Sequence, residues 1–147
     1  MSSLVVLFFL LIIFLLVLAA LSQPTREYGV KSVTAKGEEV RSRAEREIAN
    51  YFAKHNIKYV YEQKAKAMYA NPDFYLPDYD VYVEYWGLVD ADDHATRERY
   101  VRSMKRKMAI YHRHDIKFIS IYPSNLDNLD WIFRAKFKKL MGFELPA

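Results

Sequence analysis

The 147-residue chain has room for one modest domain, and its 52% hydrophobic content excludes a disordered tail. It has no cysteine, which excludes disulfides and thiolate metal sites and would be unusual for a small secreted domain. No charged residue lies in positions 1–22, so all 22 Lys and Arg and all 18 Asp and Glu belong to the remainder, whose net charge of +4 is compatible with a polyanionic partner without requiring one.

Residues 4–21, LVVLFFLLIIFLLVLAAL, are an unbroken apolar run. At about 1.5 Å per residue it matches a hydrocarbon core of about 30 Å, so residues 1–22 are read as a transmembrane helix. A cleaved signal peptide is the alternative, with secretion as its consequence. It fits less well, because no Lys or Arg precedes the run and the run exceeds the usual h-region of about 7 to 15 residues. Arg26, Lys31, Lys36, Arg41 and Arg43 follow, and the positive-inside rule places the C-terminal part in the cytoplasm of a single-pass protein.

Residues 23–37 carry Pro, Gly, Ser and Thr without period and read as a linker, leaving 38–147 as the domain. From Glu38, the spacing of Val40, Ala44, Ile48, Tyr51 and Phe52 predicts a helix to about His55. IKYVYEQ (57–63) predicts a strand, and DFYL (73–76) and VYVEYW (81–86) predict two more, joined by the turn-rich Pro77-Asp78-Tyr79-Asp80. Asp90, Asp92 and Asp93 offer caps for a helix to about His112, with His112 and His114 as favourable charges at its C-terminus. A zinc site there lacks a third ligand. IKFISIY (116–122) predicts a strand, and Asn125 or Asp127 is the expected cap of a last helix burying Leu129, Ile132, Phe133, Phe137 and Leu140. This order predicts an α/β fold with a mixed sheet flanked by helices, the long helix joining the hairpin to a parallel strand.

Alternation along 81–86 puts Glu84 on one face with Tyr82 and Trp86, and Val81 and Val83 on the core face. If Asp73 pairs across the hairpin, the two carboxylates converge and form a hard-oxygen site suited to Mg²⁺ or Mn²⁺. The plain alternative is a solvated strand end beside a turn Asp.

The element order, Pro72-Asp73 and Glu84 together resemble the PD-(D/E)XK nuclease superfamily, the restriction-endonuclease-like fold, over about residues 38–140. Trp86 stands where that motif has its lysine. The resemblance implies a metal held by Asp73, Glu84 and the Tyr85 carbonyl, hydrolysis of DNA phosphodiesters, and a relocated lysine. On the helix after the hairpin, Met104, Lys107, Met108 and Tyr111 fall within roughly 80° of Tyr100 on one apolar face, while Arg102, Lys105 and Arg106 fall on the other side. Lys107 is thus the inward cation, with a snorkelling rim lysine as the alternative.

The resemblance also implies a Glu from the first helix. Periodicity does not choose between Glu45 and Glu47; the resemblance favours Glu45, in the S-x-x-E pattern that starts at Ser42. Gln63 is a candidate to bond a water or phosphate at the site, or else to close a strand edge, and Tyr100 is either a phosphate or lysine partner or core. Expected partners are DNA, with RNA as the alternative, the bilayer through residues 4–21, and, as an open alternative to a monomer, a second copy of the chain in a homodimer. The competing function is a catalytically inactive membrane-tethered nucleic-acid or protein-binding module on the same fold.

Overall fold

The computed structural model describes residues 8, 9, 11–13, 29–62 and 71–146. Most of the apolar run 4–21 and all of 63–70, Gln63 included, lie outside the described residues, so the expectations for the run and for Gln63 fall outside them too. Phe8, Phe9, Leu11, Ile12 and Ile13 are helical with exposed side chains. Among the described residues, no helix is long and apolar enough to cross a membrane.

Described from Gly29 on, the stretch expected to be linker contributes β1 (Ser32–Val33), which pairs antiparallel with β2 (Glu39–Val40). This hairpin leans on α1 (Arg43–Lys54), the Ala35 N–H donating to Asn50 Oδ1 at 2.7 Å. The first helix therefore starts five residues later than the apolar spacing suggests. Val40 is buried, but in a strand, because pairing with Ser32 satisfies its backbone and Ser42 then caps α1 by accepting from the Glu45 N–H at 3.1 Å. Ser42→Ala is expected to cost about 1 kcal/mol in urea unfolding, the ordinary loss for an N-cap.

β3 (Val60–Tyr61), β4 (Phe74–Leu76), β5 (Val81–Tyr85) and β6 (Phe118–Ile121) form one sheet in that order. β3, β4 and β5 are antiparallel neighbours, and β6 returns parallel to β5 after α2 (His94–Arg113). The domain is thus α/β with a mixed sheet flanked by helices. The expected strand 57–63 shrinks to two residues because the Ile57 N–H still bonds back to Phe52 in the helix, and Glu62 turns the chain with φ of 52°.

Neither Asn125 nor Asp127 caps the last helix. A 3₁₀ turn (Pro123–Asn128) intervenes, α3 (Leu129–Met141) starts after Asn128, and the Asn125 side chain instead accepts from the Tyr122 N–H and from Lys136.

The period-2 alternation sorts the sheet into two cores. Phe74, Leu76, Val81, Val83, Ile119 and Ile121 pack beneath α1 and α3, where Phe52 meets Phe133 at a ring separation of 5.3 Å. On the opposite face Tyr82 packs against Tyr111 of α2. The face bearing Glu84 is therefore the one that α2 covers.

Candidate functional site

In the β4–β5 register Phe74 faces Val83, and the same pairing continued by one residue sets Asp73 opposite Glu84. The two acids sit on neighbouring strands at the end where β4 begins and β5 finishes. The Tyr85 N–H donates to Asp73 Oδ2 at 2.7 Å. In an extended strand the carbonyl of a residue points the same way as its N–H, so the Tyr85 carbonyl also faces Asp73, with the Tyr100 hydroxyl 3.5 Å from it.

Glu84 is only 1% exposed, and each of its carboxylate oxygens has a partner. The Lys107 ammonium, reaching down from α2, lies 2.7 Å from each of its oxygens and donates to the Asn71 carbonyl at 2.7 Å. The Tyr111 hydroxyl, one turn further along α2, also donates to Glu84. Lys107 is half-buried while Arg102, Lys105 and Arg106 are exposed, which is the division that the helical spacing anticipates. Trp86, two residues after Glu84 of β5, contributes its ring. The Lys107 ammonium lies 5.6 Å from the ring centre, and the indole N–H is tied to Ser120 Oγ at 2.9 Å.

Burial raises the Asp73 carboxyl to about 7, with the Glu84 charge adding to the rise and the Tyr85 N–H opposing it. Burial also raises Glu84, against Lys107 and Tyr111. The Tyr111 hydroxyl is raised by burial and by the Glu84 charge, so it stays a donor at any ordinary pH.

No protein-family model, curated protein or solved structure matches the chain.

Glu45 is buried, whereas Glu47 is exposed, so the structure separates the two acids that spacing left equivalent. The Glu45 carboxylate accepts from the Arg41 N–H at 2.9 Å and from the Tyr61 hydroxyl at 2.5 Å, and its charge is felt at Asp73. Among the described residues no three or more His, Cys, Asp or Glu side chains are grouped to hold a metal ion, so Glu45 does not join Asp73 and Glu84 in one ligand shell. The donor set that remains is two carboxylates and a carbonyl. That number suits Mg²⁺, which keeps several of its own waters, and does not suit a closed all-protein cage.

Asp73, Tyr85, Tyr100, Glu45 and Glu47 line one cleft of about 610 Å³. Its charged lining is Glu45, Glu47, Asp73 and Asp127 against Arg41 and Arg43. The acid excess makes the cleft a better host for a cation than for a bare polyanion. Gly87 lies in the same wall. A Cβ there would stand 2.7 Å from the Tyr85 ring, so the glycine leaves room for that ring.

Tyr111, Tyr61, Arg41 and the Asn71 carbonyl were not singled out as site residues from the sequence. Tyr111 had a usable signal, because it follows Lys107 by four residues on the same face. The other three are brought in by strand pairing and loop geometry that no local pattern encodes.

Trp86→Leu keeps the apolar cover but removes the ring from beside Lys107. In urea unfolding the variant is expected to lose about 0.5 to 2 kcal/mol, the scale of one cation–π contact, with Trp86→Phe between the two. A Trp86→Leu protein as stable as the unaltered chain would show that the ring only fills space.

Proposed function

We propose that the chain is a membrane-anchored, Mg²⁺- or Mn²⁺-dependent nuclease of the PD-(D/E)XK kind that hydrolyses DNA phosphodiester bonds. The observation that carries this reading is the reach of Lys107 from α2 to Glu84, directly across from Asp73, which supplies the cation that Trp86 displaces from the strand. Asp73, Glu84 and the Tyr85 carbonyl would hold the metal. When bound, the metal lowers the pKa of a water and offsets charge on the scissile phosphate.

The rest of the chemistry belongs to the chain. Lys107, held by the Asn71 carbonyl and the Trp86 ring, presents an ammonium on the Glu84 side, where it can pair with a phosphate oxygen as negative charge builds. Tyr111 fixes the second carboxylate from behind, so Glu84 need not reorganise during reaction. Glu45, held by Tyr61 and Arg41, adds negative charge near Asp73 that favours a cation there. The exposed apolar side chains of Phe8, Phe9 and Leu11 to Ile13 are consistent with a segment meant for a bilayer, with the domain on its cytoplasmic side.

A second reading is favoured by one observation. All three protons of the Lys107 ammonium already have acceptors in Glu84 and Asn71, as expected of a satisfied structural ion pair in a non-catalytic module. Plasmid nicking by the full chain in detergent separates the two. Cleavage is expected with Mg²⁺ or Mn²⁺, not with chelator, and not by Asp73→Ala. No cleavage under any condition would favour the second reading, while metal-independent cleavage, or cleavage kept by Asp73→Ala, would overturn the metal site of the first.

A further inference from the structure

The proposed site uses one face of α2 and leaves the other unexplained. From Arg99 to His114 the sequence reads RYVRSMKRKMAIYHRH, sixteen residues without a carboxylate. Arg99, Arg102, Arg106 and Arg113 fall along one exposed stripe about 21 Å long, with Lys105 at its flank. Arg102 lies 3.7 Å from Glu98 and Arg99 bonds the Ala95 carbonyl, while Lys105, Arg106 and Arg113 meet no carboxylate among the described residues. The stripe centres on the side of the helix opposite Tyr100, Lys107 and Tyr111. A polyanion lying in the cleft would therefore not be what it serves.

We infer that this outer stripe of α2 docks on anionic phospholipid headgroups and holds the domain flat on the bilayer with the cleft left open. The inference rests on the bilayer-anchor part of the function proposed above and is independent of nuclease chemistry. Only seven residues, 22–28, separate the apolar run from Gly29, and they span at most about 25 Å. Gly29 lines the cleft, as does Tyr100 on the inner face of α2, so the chain enters the domain on the cleft side of that helix. A domain held so close must turn some face to the lipid. The face with a run of cations and, from Arg99 on, no carboxylate suits the anionic leaflet that the positive-inside rule assigns to it. The stripe offers Ala95 ahead of Arg99 and Ala109 between Arg106 and Arg113, with no exposed large apolar side chain, so the contact is electrostatic and sensitive to salt.

The chain is free of cysteine, which permits a single donor dye at Ala109→Cys on the stripe or at Lys139→Cys on α3, across the sheet. The full chain is reconstituted in lipid nanodiscs of phosphatidylcholine, with or without phosphatidylglycerol, carrying headgroup acceptor dye. Energy transfer from position 109 is expected to exceed that from 139 severalfold in the anionic discs. It should fall to the level of the neutral discs on adding salt or in the triple variant Arg102→Gln, Arg106→Gln, Arg113→Gln. Equal transfer from both positions, transfer indifferent to lipid charge or to the triple variant, or failure of the chain to enter discs would each overturn the inference. So would a triple variant that keeps its transfer but loses binding to a short DNA duplex, which would assign the stripe to nucleic acid. Plasmid nicking by the same preparations reports on the nuclease reading alone, and the triple variant should not change it.

Discussion

Lys107→Met is expected to slow single-turnover nicking by roughly two to three orders of magnitude, the loss associated with removing one preorganised electrostatic stabiliser. The methionine keeps the length and apolar stem of the lysine and removes only the ammonium. Without it Glu84, 1% exposed, retains Tyr111 as its remaining donor, and its carboxyl is pushed further above the ordinary range. The metal-free variant should therefore also be less stable, and Mg²⁺ should recover part of that loss by restoring a positive charge beside Glu84. A purely structural lysine would give the destabilisation without the loss of rate once the metal had restored the fold. Lys105→Met, on the exposed side of the same helix, is the control and should do little. Cleavage by Lys107→Met at the unaltered rate would remove the relocated lysine and leave the non-catalytic reading.

The parts of this site that the sequence displayed are those governed by one local period. Alternation put Glu84 on the α2 side of β5, and the short Pro77–Asp80 turn set the register that brings Asp73 opposite it. Helical spacing then separated Lys107 from Arg102, Lys105 and Arg106. What the sequence did not display depends on pairing between distant segments. β2 carries Val40 in helical phase with Ala44 and Ile48, and only its partner Ser32, in a stretch with no pattern of its own, makes it a strand. Glu45 and Glu47 flank the α1 stripe symmetrically, so spacing was silent; β3 decides between them by delivering Tyr61 to Glu45. The start of α3 moved because Asn125, a good cap by type, is engaged by Tyr122 and Lys136.

Burial of Asp73, with the charge of Glu84 on the adjacent strand adding to it, makes its ionised carboxylate costly in the metal-free fold, and this sets the sign of the Asp73→Asn effect. Asp73 has an ordinary value of 3.8 and is raised to about 7 in the fold. Between those two values the folded chain holds a proton that the unfolded chain has lost, so the stability from this group is complete below about pH 4. It drains away as pH rises to about 7, and above that it stays at its lowest. The asparagine amide oxygen introduced by Asp73→Asn would still accept the Tyr85 N–H, while the side chain would carry no charge against Glu84 and would not titrate. In chelator at pH 8 Asp73→Asn should therefore be more stable than the unaltered chain, by up to about 4 kcal/mol for a shift of about three pH units. Near pH 4 the two should converge. Added Mg²⁺ should stabilise the unaltered chain and not the variant, because binding requires the carboxylate. Cleavage should vanish in the variant throughout, so the residue that weakens the empty fold is the one the reaction needs. Thermal unfolding of both proteins across pH, with chelator and with Mg²⁺, measures every part of this. A variant less stable than the unaltered chain at pH 8 in chelator would show that Asp73 is ionised and well paired in the metal-free fold, and an equal response of both proteins to Mg²⁺ would remove Asp73 from the metal site.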